Sequence, residues 1–288
     1  MANYKEYFGF KAEPFHSNIS PKNLLRLPDM LSAKERLDYA LSLGGVMLVT
    51  GDVGAGKSTT IRWALSHYHP SEIVLAHVIA TSASLNELYK QFCWSLDLDV
   101  KAASLAYLAK TFRGAIRDIV VGKKQKMVLV IDEASLLRTD VFSELHTLTQ
   151  FEHDSQPLIS VVLLGQVALL DKLTYRSSLP LASRVVTKTH LRAISRDQMV
   201  EYLNHHLRIA GIKKSLFSDG AVTAIHQGSG GLLRAANHLA RGGLIAAAVE
   251  GQDMVQPDHI RIASTELFTT KGIFDGTATY IISAPRSA

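Results

Sequence analysis

The chain has 288 residues, of which 47% are hydrophobic and 20% are charged, and its formal net charge is +5 at pH 7. This length and composition suit one large or two modest globular domains, and they exclude fibrous and intrinsically disordered proteins. The apolar runs are far shorter than the roughly 20 residues that cross a bilayer, and the N-terminus has no signal-peptide pattern. We therefore expect a cytoplasmic protein without a membrane span. The excess of basic over acidic residues favours a polyanionic partner without establishing one.

Aromatic residues are dense at the start of the chain, at Tyr4, Tyr7, Phe8, Phe10 and Phe15. They either flank a ring of a bound ligand or fix the N-terminus to the core, and the sequence leaves both uses open. A turn-rich segment follows, and a helix is expected from Ser32. We interpret residues 1–45 as a lead-in that packs on the domain after it.

The next segment has the spacing of a phosphate-binding loop. An apolar strand, Val46–Thr50, leads into Gly-Asp-Val-Gly-Ala-Gly-Lys-Ser at residues 51–58. The glycines allow successive N–H groups to converge on an anion, and the helix that starts near Lys57 adds its positive end. Lys57 is placed to reach the β- and γ-phosphates, and Ser58 to ligate Mg²⁺. The predicted nucleotide-binding residues are Gly51, Asp52, Val53, Gly54, Ala55, Gly56, Lys57, Ser58 and Thr59.

A helical region lies between this loop and the next central strand. Ile73–Ile79 is expected to be a buried strand, and Ser84 to cap a helix that runs to about Leu96. A second, amphipathic helix has apolar residues at steps of three and four, at Leu105, Leu108, Phe112, Ile116 and Ile119. Its polar face and the segment after it are cationic, with Lys110, Arg113, Arg117, Lys123, Lys124 and Lys126. These cations either contact nucleic-acid phosphates or form a solvated face, and a solvated face is the more common.

Two acidic residues end the next apolar strand, Met127–Ile131. Residues just beyond the carboxyl end of a parallel strand lie in the crevice where α/β sheets bind ligands. Asp132 is therefore expected to hold Mg²⁺, and Glu133 to polarise the attacking water as a general base. Two acids after a strand are a weak motif alone. Their pairing with Lys57 and Ser58 strengthens it, because phosphoryl transfer requires both a phosphate cradle and a metal anchor.

A third apolar strand, Ile159–Leu164, ends in Gly165 and Gln166. Gln166 lies at the same kind of strand end as Asp132, so its amide is expected to sense the γ-phosphate; a surface glutamine without a role is the alternative. Strands that alternate with helices imply a parallel sheet covered by helices on both faces.

The pattern changes at Ser195, after which only helices are predicted. Ser195 begins a capping box, Ser218 caps the next helix, and Pro257 opens the last one. The predicted organisation is an α/β domain at residues 46–192, a small all-α lid at 193–267 and a flexible tail at 268–288.

These features together resemble an AAA+ ATPase. More narrowly, the segments at residues 7–10, 51–58, 163–166 and 231–234 resemble the ExeA-like ATPases, over residues 4 to about 266. That group is similar to the transposition helper ATPases of the TniB and MuB type. The resemblance implies a P-loop AAA+ parallel sheet sandwiched by helices and followed by a helical lid, with ATP and Mg²⁺ as cofactors.

The resemblance also implies roles at matching positions. Lys57 and Ser58 would bind phosphate and metal, Asp132 and Glu133 would form the Walker B pair, Gln166 would be sensor 1, and Arg234 would be the sensor 2 arginine. The region around Leu181–Val185 resembles the part that supplies a neighbour's arginine finger, so Arg184 is the candidate and Arg176 the less favoured one. A finger that acts in trans requires a homo-oligomer, either a ring or a helical filament.

The resemblance leaves more than one function open. The first is an ATP-hydrolysing regulator of transposition that assembles on duplex DNA and presents it to a transposase. The second is a secretion-type ATPase that remodels a protein complex without a nucleic-acid role. Net positive charge and the lack of the membrane span and cell-wall-binding module expected in secretion members favour the first. A third function, a switch with very slow turnover, is disfavoured by Glu133.

Overall fold

The computed structural model describes residues 4–81, 84–101, 104–151 and 157–265. The chain forms two compact units: the larger is Asn18–Ile194, and the smaller joins the residues up to Ser17 with those from Ser195 onward. The predicted tail, residues 268–288, lies outside the described residues.

Parallel strands form the centre of the larger unit, in the order β2-β3-β4-β1-β5. The strands are β1 Val46–Gly51, β2 Ile73–Ile79, β3 Lys126–Asp132, β4 Ile159–Gly165 and β5 Val185–Leu191. β1 and β4 are buried along their whole length, and β3 is buried from Met127 onward. Burial on both faces explains why their sequences are continuous apolar runs. The predicted α/β fold with a parallel sheet is confirmed.

The two edge strands of the sheet, β2 and β5, were not identified as edges from the sequence. β2 was expected to be buried, but it lies at one edge, where Ala76 and Val78 face the core while Leu75 and Ile79 are 43% and 58% exposed. An apolar run does not distinguish an edge strand with one covered face from a central strand. β5, which we did not predict, forms the opposite edge, and its mixed polar sequence follows from that position.

Helices cover the sheet of the larger unit and make up most of the smaller one. They are α1 Tyr4–Phe8, α2 Pro28–Leu43, α3 Lys57–Leu65, α4 Leu85–Trp94, α5 Leu105–Arg117, α6 Thr139–Leu148, α7 Ala168–Thr174, α8 Leu179–Ala182, α9 Arg196–Ile209, α10 Asp219–Ser229, α11 Leu233–Val249 and α12 Pro257–Thr265. α2 and α3 pack on one face of the sheet. On the other face, α4, α5 and α6 contribute the fully buried rings of Phe92, Phe112 and Phe142.

Among the described helices, none has the length and apolar character needed to span a membrane.

The N-terminal segment packs within the smaller unit. Phe15 is 1% exposed; its ring stacks on His206, with 5.1 Å between ring centroids, and meets Phe217 edge-on. The lead-in that we expected to pack as one segment on the α/β domain, residues 1–45, is therefore divided between the two units after Ser17. An aromatic cluster in sequence does not identify the core into which its rings pack. The other predicted domain limits stay predictions.

Helix starts in the smaller unit follow the caps that the sequence indicates. Ser195 Oγ accepts the N–H of Gln198, and Gln198 Oε1 accepts the N–H of Ser195 at 2.9 Å, which completes the capping box of α9. Ser218 caps α10 through the N–H of Ala221. Gly230 ends α10 in the left-handed conformation, at φ 58°.

Candidate nucleotide-binding site

The predicted site segments of the larger unit lie at the carboxyl ends of adjacent strands. β3, β4 and β1 are neighbours in the sheet, and they end at Asp132, Gly165 and Gly51. Because parallel strands run in the same direction, the phosphate-binding loop, the acidic pair and Gln166 share one edge of the sheet. The fold thus brings together three segments that are far apart in sequence.

Glycines shape the loop between β1 and α3. Gly54 and Gly56 have φ angles of 87° and 95°, in the region that favours glycine. At Gly51 a Cβ would lie 2.7 Å from the carbonyl oxygen of Leu191, so the close approach of the two strand ends requires glycine. α3 begins at Lys57, directly after Gly56. The amino-terminal end of a helix carries a positive partial charge, which favours an anion held by the loop.

The amine of Lys57 is held at the loop. Lys57 is 7% exposed, and its Nζ donates to the carbonyl oxygens of Gly51 and Asp52 at 2.9 and 3.0 Å. A buried ammonium group requires such partners, because removing it from water without them is costly. The cation is therefore fixed where a bound phosphate is expected.

Ser58 and Asp132 connect the loop to the end of β3. Ser58 Oγ donates to Asp132 Oδ2, and Asp132 Oδ1 accepts the N–H of Glu133 at 2.8 Å. Mg²⁺ prefers oxygen ligands and is commonly held by one or two protein groups together with phosphate oxygens and water. A hydroxyl and a carboxylate in contact fit that donor set, so these two residues fit the metal that the sequence predicts.

Glu133 has a left-handed backbone, with φ 52° and ψ 33°. This conformation is uncommon for a residue other than glycine and costs about 1–3 kcal/mol. The carbonyl oxygen of Glu133 accepts the N–H of Leu136 at 2.8 Å, which closes the short turn Ala134–Leu136. The backbone therefore turns sharply at the predicted general base.

Two residues that the sequence analysis missed join these strand ends. Ser135 Oγ accepts the N–H of Gln166 at 3.4 Å. Lys172 Nζ donates to the carbonyl oxygens of Ser135 and Leu137 at 2.6 and 2.7 Å. The turn after the acidic pair is thus tied to the end of β4 and to α7. A single serine and a single lysine match no motif, so the sequence carried no signal for them.

Polar contacts also hold β5 beside the loop. Thr50 Oγ1 lies 3.0 Å from His190 Nδ1. Just beyond β5, Arg192 donates to Asp29 through its backbone N–H at 3.1 Å and through Nη2 at 3.0 Å. Burial favours the neutral form of this carboxyl, but the hydrogen bonds and charge of Arg192 outweigh it and lower the pKa of Asp29. These contacts join the start of α2 to the end of β5.

Residues 40–173 match the family model described as "AAA domain". This match supports an AAA+ ATPase. The chain is 31% identical over 267 residues to the General secretion pathway protein A of Aeromonas hydrophila, a match that spans 92% of this chain and 48% of that protein. The chain therefore covers about half the length of that relative. The match supports the ExeA-like group predicted from the motifs, whereas similarity to the TniB and MuB type stays a prediction.

Solved structures share the fold of this chain. Cdc6p from Pyrobaculum aerophilum gives a TM-score of 0.70 at 20% identity, over 91% of this chain and 73% of that one. The Aeropyrum pernix ORC1 protein in complex with DNA gives 0.65 at 17% identity, over 85% of this chain and 66% of that one. At these identities the likeness establishes the fold, a P-loop sheet with a helical C-terminal region.

The predicted arginines of this chain lie away from the phosphate-binding loop or in the other unit. The carbonyl oxygen of Arg184 accepts the N–H of Val46, the first residue of β1, so Arg184 lies at the amino edge of the sheet, opposite the loop. Its Nε donates to His146 Nδ1 at 3.0 Å. Arg176 is exposed in a short turn after α7, and Arg234 is exposed near the start of α11 in the smaller unit. Their roles stay predictions.

Proposed function

We propose that this protein is an AAA+ ATPase that binds ATP with Mg²⁺ and hydrolyses it to ADP and phosphate. The observation that carries the proposal is the contact between Ser58 and Asp132, which joins the phosphate-binding loop to the acidic strand end. In the bound state Lys57 exchanges loop carbonyls for phosphate oxygens, while Ser58 and Asp132 hold the metal. Mg²⁺, when bound, supplies charge neutralisation at the transferred phosphoryl group.

The remaining predicted residues act on the water and on the transferred phosphate. Glu133 accepts the proton of the attacking water as general base. Gln166, whose N–H is fixed to Ser135, presents its amide to the γ-phosphate. Arg234 from the smaller unit, and Arg184 or alternatively Arg176 from a second copy, add positive charge as the transition state forms.

The substitution Glu133→Gln tests this assignment. An amide cannot accept the proton, so we expect the turnover number to fall by about 10²–10⁴-fold while ATP binding is retained, which makes the ATP-bound form accumulate. Phosphate release and equilibrium binding of a fluorescent ATP analogue measure the two effects. Glu201→Gln, an exposed carboxylate in α9, is the matched control. Unchanged hydrolysis in Glu133→Gln would identify a different base.

We further propose that the ATP-bound form assembles as a homo-oligomer, a ring or a helical filament, on duplex DNA. In the narrower form of this proposal, the assembly regulates transposition by presenting that DNA to a transposase. The net charge of +5, the expected similarity of the ExeA-like group to transposition helpers and the fold likeness to an ORC1 protein in complex with DNA support it. We expect the protein to bind the phosphate groups of the DNA backbone and to make few contacts with the base edges.

A second candidate function is supported by the similarity to a general secretion pathway protein. In that case the ATPase remodels a protein complex, and its hydrolysis is indifferent to nucleic acid. This alternative predicts oligomers that form with ATP alone and whose turnover does not change when duplex DNA is added.

Sedimentation of the full chain with duplex DNA distinguishes the two functions. The samples contain ATP, a non-hydrolysable analogue or ADP, each across a series of salt concentrations. Co-sedimentation that requires ATP or the analogue and weakens steeply with salt supports the DNA-binding function. Oligomers that form without DNA and do not bind it support protein remodelling instead.

A further inference from the structure

The positive charge of the chain is concentrated in one segment. Residues 110–126 contain six Lys or Arg residues and one Asp, a net charge of +5 that equals the formal net charge of all 288 residues. Acidic and basic residues balance over the rest of the chain. Positive charge concentrated in one segment is the electrostatic footprint of a surface that binds a polyanion.

One member of this segment has a structural contact instead. The guanidinium of Arg113 donates to the carbonyl oxygens of Thr147 and Gln150, at 2.7 and 2.5 Å, and lies 4.4 Å from the ring centroid of Phe151. Arg113 therefore fastens α5 to the end of α6. Helical periodicity does not reveal this contact, because it depends on a neighbouring helix end that needs a donor.

Three lysines at the end of the segment are exposed: Lys123, Lys124 and Lys126. Within the part of the chain that the structure describes, their ammonium groups form no ion pair and no hydrogen bond. We call Lys123–Lys126 the lysine turn. Because its charges are unpaired, its positive field is available to an external anion.

Backbone hydrogen bonds fix the lysine turn in place. The N–H groups of Lys123 and Gln125 donate to the carbonyl oxygens of Asp118 and Ile119 at 2.9 and 3.1 Å. The N–H of Lys126 donates to the carbonyl oxygen of Glu72 at 2.8 Å. A fixed backbone lowers the ordering cost when the lysine side chains engage a partner.

The acidic residues beside the turn do not neutralise it. The carboxylate of Glu72 accepts the N–H of His69 at 3.3 Å. Asp118 is exposed, and among the described residues neither acid pairs with a lysine of the turn. The turn therefore keeps most of its positive charge.

We propose that the lysine turn binds the phosphate backbone of duplex DNA. Residues 117–126 contain no aromatic side chain on which unpaired bases would stack, so the surface fits a duplex better than a single strand. Lys126 begins β3 and Asp132 ends it, which puts the turn about 20 Å from the nucleotide crevice, at the opposite edge of the sheet. The inference rests on the proposed DNA-binding function and specifies its surface.

The test compares two triple variants of the full chain that carry the same change in charge. One is K123Q/K124Q/K126Q; the control is K188Q/K213Q/K214Q, at exposed lysines outside the segment. Fluorescence anisotropy of a labelled duplex, with the non-hydrolysable ATP analogue between 50 and 200 mM salt, measures affinity. We expect the turn variant to bind about tenfold more weakly at low salt and its salt slope to fall by about 2–3, since each phosphate contact contributes about 0.9.

The control should keep both the wild-type affinity and slope, and equal melting temperatures verify that both variants fold. Equal loss in the two variants would show a bulk charge effect and overturn the inference, as would wild-type affinity in the turn variant. A loss confined to single-stranded DNA would overturn the assignment to a duplex. Wild-type protein that hydrolyses ATP but binds no duplex would instead refute the proposed DNA-binding function itself.

Discussion

The proposed base, Glu133, depends on a neighbour for its position. Its left-handed backbone costs about 1–3 kcal/mol, and surrounding contacts must offset that cost. Lys172 supplies two of them, because its ammonium group donates charge-assisted hydrogen bonds to the carbonyl oxygens of Ser135 and Leu137, at 2.6 and 2.7 Å. We therefore propose that Lys172 is a positioning residue for Glu133, acting through the turn that follows it.

Replacing Lys172 with methionine keeps the apolar part of the side chain and removes the donor. We expect kcat for ATP hydrolysis to fall about tenfold while KM stays within about twofold, since an interaction that serves only the transition state lowers kcat alone. Lys172→Arg should restore part of kcat, because a guanidinium also donates to carbonyl oxygens. Steady-state kinetics of phosphate release measure both constants.

Lys188→Met, at an exposed lysine of β5, is the control for loss of a surface cation and should leave kcat unchanged. If Lys172→Met lowers the melting temperature but leaves kcat as in the wild type, Lys172 has a structural role only. A rise in KM that accounts for the whole loss would likewise contradict the positioning role.

The contrast between these residues explains what the sequence could predict. Lys57 and Ser58 belong to a motif whose spacing is set by the geometry of a backbone wrapped around phosphate, so a short stretch of sequence reveals them. Ser135 and Lys172 are 37 residues apart, and their contact exists only after β3 and β4 pair. The interaction is specified by tertiary structure, and no local pattern encodes it.

At the scale of elements, the central strands and capped helices were predictable because their signals are local. β1, β3 and β4 are apolar runs that the sheet buries on both faces, and Ser195 forms the capping box that its sequence indicates. The edge position of β2 depends on the order of the strands in the sheet. The packing of Phe15 depends on the core of the smaller unit, which forms from residues far away in sequence. Those properties are not carried by periodicity.

α9 carries a buried histidine that makes stability depend on pH. His206 is 4% exposed and lies against the rings of Phe15 and Tyr202. Burial, with a smaller contribution from the charge of His205, lowers the pKa of His206 to about 3. An exposed histidine in the unfolded chain has a pKa near 6.5. As pH falls the unfolded state binds the proton first, so the free energy of unfolding decreases from about pH 6.5 toward pH 3.

We expect His206 to remove about 2 kcal/mol of stability between pH 7 and pH 5. Denaturant unfolding at the two pH values measures the total change, and hydrogen–deuterium exchange of α9 peptides locates it in the smaller unit. In His206→Leu, which replaces the imidazole with an apolar side chain, this part of the pH dependence should disappear. The same pH dependence in the wild type and in His206→Leu would contradict the argument.

At the scale of the whole molecule, one chain does not supply every charge that the proposed reaction uses. Arg184 lies at the amino edge of the sheet, next to the first residue of β1, and the phosphate-binding loop follows the last residue of that strand. The length of β1, about 17 Å at the usual rise per residue, separates them. If Arg184 acts as proposed, it serves the site of a second copy, and hydrolysis then depends on the oligomer.

Mixing two inactive variants tests this assignment. Lys57→Ala should lose nucleotide binding but keep its arginine, and Arg184→Ala should keep its loop but lack the arginine. In a head-to-tail assembly, an equal mixture restores about a quarter of the sites, those in which an intact loop faces an intact arginine of the next subunit. The recovered phosphate release should rise with protein concentration, because it depends on assembly. If Arg184→Ala hydrolyses ATP normally, and Arg176→Ala is inactive alone but recovers activity when mixed with Lys57→Ala, the arginine in trans is Arg176. If neither arginine variant recovers activity when mixed with Lys57→Ala, hydrolysis does not use an arginine in trans.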